Sequence, residues 1–543
     1  MKGKVDDSDK TREVYSHDAS LFHVTPQVVV TPKDTADVQA LVRFVKTARA
    51  EGRPLSLTAR AAGTDMSGGP LTESIVVNML GFNRILEIGN LDTQAGGYAV
   101  VEPGVYFRDF DRETKKRDLM LPSYTASREL CTVGGMVAND SGGELNLKYG
   151  KTARYVEELE VVLEDGNVHT LKHLSGVELQ VKRSEGSYEG NLVRDVAALI
   201  ARNQDTIQGA KPGVEKNSSG LALWDVGNGV DSLNLARLMV GAQGTMGIIT
   251  KIKFRLVQPK KYTSMAVLFL DGLQTTGTLV PKILRHQPDS VESYDDNTFM
   301  LATKYFPEFA FQMKANIFSL GLSFLPEMWR LLTSGIPKLV VLVEFQSDSQ
   351  DEARRKAEAI IAELRGQEGV ASTLLAPTER AARKYWTIRR ESFHLLRKKV
   401  RGLRTAPFID DFVVPPQCLS EFLPALNTLL QEYALTYTIA GHIGDGNFHI
   451  IPLIEPGRTD LRQLVEELSE RVYDLVIRYD GSISGEHNDG YVRTPFVERM
   501  FGADMAALFK QVEEMLDPLD VFNPGKKVVR GDVDPYAFLD YTH

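Results

Sequence analysis

Residues 440–449, with the sequence AGHIGDGNFH, place two histidines around a turn. An Asp-Gly pair between apolar, β-prone runs is a strong signal for a β-hairpin. With Asp445 and Gly446 at the centre of the turn, His442 pairs with His449, and the imidazoles share one face of the sheet at about 5 Å between Cβ atoms. Imidazoles at that spacing suit a divalent metal ion, whereas the plainer interpretation is two polar side chains on an exposed strand.

Further along the chain, Glu486 and His487 stand side by side in the glycine-flanked sequence SGEHNDG. Neighbouring residues of an extended segment point to opposite sides. We therefore expect Glu486 to join His442 and His449 in a metal shell, while His487 faces a different cavity, such as one beside a cofactor. Two histidines and a carboxylate suit zinc, and they also describe a non-haem iron or manganese site.

Three glycine-rich runs lie in the first half of the chain, at residues 60–69 (RAAGTDMSGG), 132–143 (TVGGMVANDSGG) and 241–249 (GAQGTMGII). Such runs let backbone N–H groups approach a phosphate, or let a flat ring lie against the main chain. The first run matches neither a P-loop nor the G-x-G-x-x-G fingerprint. Together they favour a large phosphate-bearing cofactor over three unrelated turns.

The composition excludes several classes of protein. The formal net charge of -9 argues against a general nucleic-acid binder. With only 2 cysteines there is no disulfide framework, and the charged N-terminus lacks the apolar core of a secretory signal. No window offers the apolar run of a membrane span. We therefore expect a cytoplasmic location.

The pattern of elements predicts an α+β protein. After a polar lead-in, 26–32 is a strand and 34–50 a helix capped by Asp34 or Thr35. The sequence pattern changes near Pro259. From there strands and helices alternate, which predicts helices that cover one sheet. We predict a first domain at 1–258, a second at 259–515 and a final segment at 516–543 that returns to the first domain.

Residues 309–332 form a strongly apolar insert that contains Trp329 and few charges. One interpretation is a buried or interface helix pair. The other is a segment that rests on the inner face of a membrane as a peripheral contact.

The glycine-rich runs, together with LPSYTAS at 121–127, resemble the PCMH-type FAD-binding domain of the vanillyl-alcohol oxidase family. GHIGDGNFH, SISGEHNDG and LDPLDVFNPGK resemble the FAD-linked oxidase C-terminal domain. The resemblance covers residues 20–530 and is nearest to D-lactate dehydrogenases, D-2-hydroxyglutarate dehydrogenases and the flavin subunit of glycolate oxidase. It implies a two-subdomain FAD-binding domain, followed by an α+β substrate (cap) domain with an antiparallel sheet.

The resemblance also implies the residues that bind FAD. The first loop carries no histidine for a covalent link, so FAD is expected to bind non-covalently. The pyrophosphate loop and the other residues expected at the FAD site are Arg60, Gly63, Thr64, Ser67, Gly68, Pro122, Ser127, Thr132, Gly134, Gly135, Ser141, Ile248, Ile249 and Asn523.

By the same resemblance, His442, His449 and Glu486 bind a divalent metal, and His487 is the catalytic base. Arg389, in the sequence WTIRRE, anchors the substrate carboxylate. The expected reaction is oxidation of a D-2-hydroxy acid, such as D-lactate, with hydride transfer to flavin N5. Electrons then pass to a quinone, an electron-transfer flavoprotein, a cytochrome or an iron–sulfur partner subunit.

Two other hypotheses stay open, namely a non-redox flavoenzyme like alkyl-glycerone-phosphate synthase and an FAD-binding electron-transfer subunit. The chain also departs from its relatives. Ile409 stands where 2-hydroxyglutarate enzymes carry a lysine, which disfavours a substrate with a distal carboxylate. Gln243 replaces an expected glutamate, and Asn488 and Asp489 follow the proposed base.

Overall fold

The computed structural model describes residues 1–91, 96–296, 298, 300, 335–399, 402–433, 435–530 and 534–542. The apolar insert at 309–332 lies outside these described residues. Among the residues that are described, no helix has the length and apolar character needed to cross a bilayer.

The first half of the chain builds two sheets. In the smaller sheet three strands run parallel to one another, and the N-terminal strand joins them antiparallel at one edge. Its strands, in spatial order, are Lys4–Asp6, Val28–Thr31, Ile75–Asn78 and Leu57–Arg60. The helix Thr35–Ala50 begins at Asp34, whose side chain accepts a hydrogen bond from the N–H of Asp37. It buries Val38, Val42 and Val45 at helical spacing against this sheet.

The larger sheet of the first half is antiparallel. Its strands, in spatial order, are Ile85–Asn90, Gly97–Val101, Ile248–Leu256, Val156–Val162, Val168–Ser175 and Ser232–Asn234. The helices of the first half besides Thr35–Ala50 are Asp9–Tyr15, Phe107–Lys115, Val133–Asn139, Asn146–Tyr149, Gly176–Ser184, Tyr188–Arg202, Gln204–Gly209 and Leu235–Met239.

The second half is organised around one antiparallel sheet. Its strands, in spatial order, are Val370–Ala376, Tyr262–Leu270, Leu339–Ser347, Ser290–Asp295, Thr436–His442, Asn447–Ile454 and Arg404–Thr405, with Phe412–Val413 also paired to Asn447–Ile454. The helices are Thr276–Leu284, Gln350–Leu364, Glu379–Lys399, Leu419–Gln431, Leu461–Arg478, Gly490–Arg493, Val497–Phe501 and Ala503–Leu516.

Alternation along the strands gives this sheet two differently covered faces. One face packs against most of the helices through a large apolar cluster that includes Leu268, Ile450 and Leu468. The other face meets the helix Glu379–Lys399, where Trp386 packs with Ala440. His442 and His449 belong to this second face, so the helix and the two imidazoles share one side of the sheet.

The end of the chain contacts the first domain. The N–H of Leu57 donates to Val521 O at 2.7 Å, and the N–H of Asn523 donates to Leu57 O at 2.9 Å. The Asn523 side-chain amide donates to the backbone oxygens of Gly69 and Gln243. The segment therefore braces the first glycine-rich loop. The α+β architecture, with two sheets before residue 259 and an antiparallel sheet after it, confirms the predicted fold class.

Candidate active site

The hairpin that carries the two histidines has a longer loop than the sequence predicts. His442 lies opposite Asn447, and His449 lies opposite Ala440. The predicted pairing of His442 with His449 is therefore wrong by two residues. Four residues form the loop, in which Ile443–Asp445 make a short 3-10 turn and Gly446 has a φ of 71°.

Gly446 explains the longer loop. A Cβ atom at this position would meet Val414 O at 1.8 Å, and the N–H of Val414 donates to Gly446 O at 3.0 Å. The strand end at Val414 therefore packs against the turn. With this contact the loop contains two more residues than a two-residue turn. Because a shift of two residues preserves the face, His442 and His449 still lie together, with ring centroids 5.4 Å apart.

The two imidazoles converge on one oxygen of Glu486. The Nε2 atoms of His442 and His449 each lie 3.3 Å from Glu486 Oε1. On the side of each ring away from Glu486, a carboxylate contacts Nδ1 and orients the ring. Glu292 Oε1 is 2.6 Å from His442 Nδ1, and Asp410 Oδ1 is 3.3 Å from His449 Nδ1. This arrangement of inward Nε2 and outer carboxylate is typical of metal-binding histidines, so the residues present fit a divalent ion.

The charges of the cluster are balanced by a lysine from the first domain. Lys216 Nζ lies 2.8 Å from Glu486 Oε2 and donates to Asn447 Oδ1 at 2.7 Å. Burial alone would raise the pKa of Glu486, but the charge of Lys216 and then that of His442 hold it well below its usual value. The pKa of His449 is raised to about 9, because Asp410 and Glu486 outweigh the effect of burial.

His487 stacks on His449, with ring centroids 5.0 Å apart and an interplanar angle of 23°. Its Nδ1 lies 2.8 Å from Asp410 Oδ2, and its Nε2 lies 3.9 Å from Glu486 Oε1. Burial lowers the pKa of His487, but the charges of Asp411 and Asp410 outweigh this and raise it. His487 and Glu486 therefore do not diverge as expected, although His487 does face the first domain's cleft.

Asp411 explains why these neighbours stay together. Its Oδ2 accepts hydrogen bonds from the N–H groups of Glu486 and His487 and from the Ser484 hydroxyl, and its Oδ1 accepts from Asn447. The segment is thereby held in a turn instead of a strand. Asp411 lies close enough to His449, Glu486 and His487 to share an ion with them. However, its oxygens are already engaged, so we assign it a structural role.

An open cleft in the first domain, with an empty volume of about 1020 Å³, reaches this cluster. Its walls come from the first two glycine-rich runs and from Gln243, and Glu486 and His487 close one end. Gly135 shows why small residues are needed, since an added Cβ would meet only Thr132 Oγ1 at 3.5 Å and otherwise occupy the cleft. The shape and lining fit a flat cofactor beside His487.

The first loop uses part of its own backbone to hold its shape. The N–H groups of Ser67 and Gly69 donate to Asp65 Oδ2, and that of Gly68 donates to Asp18 Oδ2. Arg60 donates to the backbone oxygens of Tyr15 and His17, so its guanidinium is directed to the N-terminal segment. Within the described chain, the N–H groups from 62 to 66 donate no turn or side-chain hydrogen bond, which leaves them available to a phosphate.

The structure brings most of the predicted FAD residues together. Those that line the cleft or the smaller cavity beside it are Arg60, Gly63, Thr64, Ser127, Thr132, Gly134, Gly135, Ser141 and Ile249. Those that line neither space are Ser67, Gly68, Pro122, Ile248 and Asn523. Asn523 and Ser67 instead support the loop from behind. The individual roles stay predictions.

Arg389 lies on the same side of the sheet as the histidines, in the helix Glu379–Lys399. Its Nε is 3.1 Å from Glu292 Oε2, and the other oxygen of Glu292 contacts His442. Arg389 does not line the cleft. Its assignment as the substrate-carboxylate anchor stays a prediction.

The sequence interpretation missed several residues of the cluster. Asp410 and Asp411 form an acidic pair before a strand. Two charged residues beside an apolar run could have indicated a role at the site. Lys216 and Glu292 gave no such signal, since they lie far from the histidine motifs in the chain. Ile409, in contrast, is fully buried and cannot contact a substrate in this structure.

The fold and the cleft are those of a two-domain flavoprotein. Comparison with known proteins supports this class. Residues 26–172 match a family model described as an FAD binding domain. Residues 259–527 match FAD linked oxidases, C-terminal domain. The chain therefore carries an FAD binding domain and an FAD-linked oxidase C-terminal domain, which identify it as an FAD-dependent oxidoreductase.

Individual relatives agree with the family. A D-2-hydroxyglutarate dehydrogenase of Pseudomonas putida is 28% identical over 97% of this chain and 50% of its own length. A D-lactate dehydrogenase of Archaeoglobus fulgidus is 27% identical over 96% of this chain and 99% of its own length. A solved 4-ethylphenol oxidase from Gulosibacter chungangensis shares the fold, with a TM-score of 0.67 and 17% identity over 97% of this chain and 94% of that one. The chain spans about half the length of several curated relatives that it matches.

Proposed function

We propose that the chain is an FAD-dependent dehydrogenase that oxidises a D-2-hydroxy acid to the 2-oxo acid. The observation that carries this proposal is the position of His487, which lines the flavin cleft while it stacks on an imidazole of the metal-type cluster. In this proposal, the proton acceptor and the ion that binds the substrate oxygens lie next to each other at the end of one cofactor cleft. The names of the two relatives described above support the substrate class.

Each residue of the cluster has a task in this reaction. His487 lines the cleft, and its imidazole would accept the hydroxyl proton of the substrate, a contribution on the order of 10²–10⁴ in rate. His442, His449 and Glu486 would hold a divalent ion, whose Lewis acidity favours the ionised hydroxyl and carboxylate oxygens of the substrate. FAD, when bound, supplies the acceptor for the hydride.

The electrons must leave to a separate acceptor. An iron–sulfur cluster needs about four cysteine ligands, and this chain has 2 cysteines in total. We therefore propose a quinone, an electron-transfer flavoprotein, a cytochrome or an iron–sulfur partner as the acceptor, with the protein in the cytoplasm or at the inner face of the membrane.

A substrate panel tests the proposal. The purified flavoprotein is assayed with D- and L-lactate, D- and L-2-hydroxyglutarate and glycolate, with an artificial dye as electron acceptor and with or without a chelator. We expect turnover with at least one D-2-hydroxy acid, a preference over its L enantiomer, and loss of turnover with chelator. Reduction of the dye by none of these acids would reject the proposal.

A further inference from the structure

One buried carboxylate contacts two of the three imidazoles in the cluster. Asp410 Oδ1 lies 3.3 Å from His449 Nδ1, and Asp410 Oδ2 lies 2.8 Å from His487 Nδ1. The side chain of Asp410 has no solvent exposure. A single residue therefore joins a proposed metal ligand to the proposed base.

These contacts orient both rings and favour one tautomer in each. A carboxylate has only acceptor oxygens, so its proximity favours a hydrogen on each facing Nδ1. In a neutral imidazole with Nδ1–H, the lone pair lies on Nε2. Without an ion, Nε2 of His449 faces a second carboxylate oxygen, Glu486 Oε1, at 3.3 Å. An ion held there would accept the lone pair of His449, and the lone pair of His487 lies on the nitrogen opposite Asp410.

Asp410 is itself held firmly. Arg493, a fully buried residue, donates to the backbone oxygen of Asp410 at 2.5 Å. The next residue, Asp411, has a φ of 69° and donates its N–H to Phe448 O at 3.1 Å. These contacts fix the main chain on either side of the carboxylate, so that its position is set before a ligand arrives.

We propose that Asp410 is a positioning residue that sets the tautomer and orientation of His449 and His487 together, so that ion binding and proton acceptance depend on one side chain. The assignment of tasks to the two imidazoles rests on the proposed function. That one carboxylate lies 3.3 Å from Nδ1 of His449 and 2.8 Å from Nδ1 of His487 is a property of the structure itself.

The first test is spectroscopic and needs no substrate. Nitrogen–proton correlation spectra of the wild-type flavoprotein labelled with ¹⁵N-histidine report which ring nitrogen carries the hydrogen, and His449→Gln and His487→Gln variants assign the signals. We expect Nδ1–H for both residues. An Nε2–H tautomer at His487 in the wild type would overturn the proposal, whether or not any variant folds.

The second test is Asp410→Asn. Asparagine offers one acceptor oxygen, and its amide N–H groups would face the other Nδ1, so at least one ring must change tautomer. We expect kcat to fall by on the order of 10²–10⁴ while KM changes by less than about threefold and FAD stays bound. Asp295→Asn is the matched control, because Asp295 is a buried carboxylate of the same sheet that accepts hydrogen bonds from the backbone N–H groups of Thr298 and Ile439.

An Asp410→Asn enzyme with wild-type kcat would contradict the proposal. So would equal losses in the Asp410→Asn and Asp295→Asn variants, since that result indicates a general effect of removing a buried charge. If the wild type fails to oxidise any D-2-hydroxy acid, the proposed function fails, and the tautomer spectra still decide the role of Asp410.

Discussion

Lys216 Nζ and Glu486 Oε2 lie 2.8 Å apart, and the two residues come from different halves of the chain. The lysine side chain is completely buried, and that of Glu486 is 9% exposed. This ion pair ties the flavin-binding half to the histidine cluster, and it leaves Oε1 of the same carboxylate between the two imidazoles.

Replacing Lys216 with methionine should destabilise the fold, because the buried carboxylate of Glu486 loses its cation. Breaking a buried pair from one side costs about 3–5 kcal/mol. Chemical denaturation of both proteins measures the difference in the free energy of unfolding. Lys115→Met is the matched control, since Lys115 pairs with Asp111 at a side-chain exposure of 62% and its loss should be close to neutral. Equal effects of the two substitutions would show that the Lys216 pair is not important for the fold.

Two adjacent glycines should respond differently to alanine. At Gly134 a Cβ atom would meet Pro103 Cβ at 2.4 Å and Pro103 O at 2.6 Å, so Gly134→Ala forces the backbone apart. At Gly135 the added Cβ enters the cleft and makes only an ordinary contact, with Thr132 Oγ1 at 3.5 Å. We expect Gly134→Ala to lower the melting temperature, and Gly135→Ala to keep the apoprotein's stability while weakening FAD binding at least about tenfold, roughly 1.4 kcal/mol.

Flavin fluorescence titration and thermal melting of the apoproteins separate these effects. A Gly135→Ala protein that binds FAD as tightly as the wild type would place the flavin elsewhere.

Removal of the metal should leave the flavin in place. The proposed ligands His442, His449 and Glu486 belong to the second half, whereas the cleft is lined largely by the first. We expect elemental analysis to find about one divalent ion per chain, in keeping with one three-ligand site. His449→Ala should lose the ion and keep the yellow colour. His286→Ala is the control, because His286 pairs with Glu363 away from the cluster. Full metal content in His449→Ala would refute the site.

His169 should make stability depend on pH. Burial lowers its pKa, but the hydrogen bond to Glu189 and the charge of Asp165 outweigh burial, so the folded-state pKa is raised above 6.5. A raised histidine pKa means that the folded state binds more protons near neutrality, so the stabilisation is complete below pH 6.5 and is lost as pH rises through the folded-state value.

Denaturation of the wild type and His169→Gln on both sides of this range measures the effect. We expect the variant to be less stable than the wild type on the acid side and the difference to shrink on the alkaline side. A difference that grows with pH would reverse the sign and contradict the assignment.

The sequence predicted the elements well where periodicity and caps agreed. The helix from Asp34 was predicted because an N-cap precedes a clear apolar stripe, and the structure shows Thr35–Ala50 with Asp34 as the cap. The polar composition of the N-terminal lead-in predicts no strand, but Lys4–Asp6 pairs with Val28–Thr31 as an edge strand. A short polar strand gains its stability from its partner, which local sequence does not reveal.

At the site, the shared face of His442 and His449 was predictable because side chains alternate along a strand. The register was not, since the docking of Val414 against Gly446 is a long-range contact. Lys216, Glu292 and Asp410 could not be predicted as partners for the same reason. They contact the cluster only after three separate segments of the chain have packed together.

Anaerobic mixing of the FAD-loaded protein with a D-2-hydroxy acid tests the central claim most directly, with wild type and His487→Ala compared by the yellow absorbance of the flavin. The account predicts rapid bleaching of the wild type and a spectrum in His487→Ala that starts identical and stays oxidised. Bleaching of the variant at the wild-type rate, or a wild type that no D-2-hydroxy acid reduces, would contradict it.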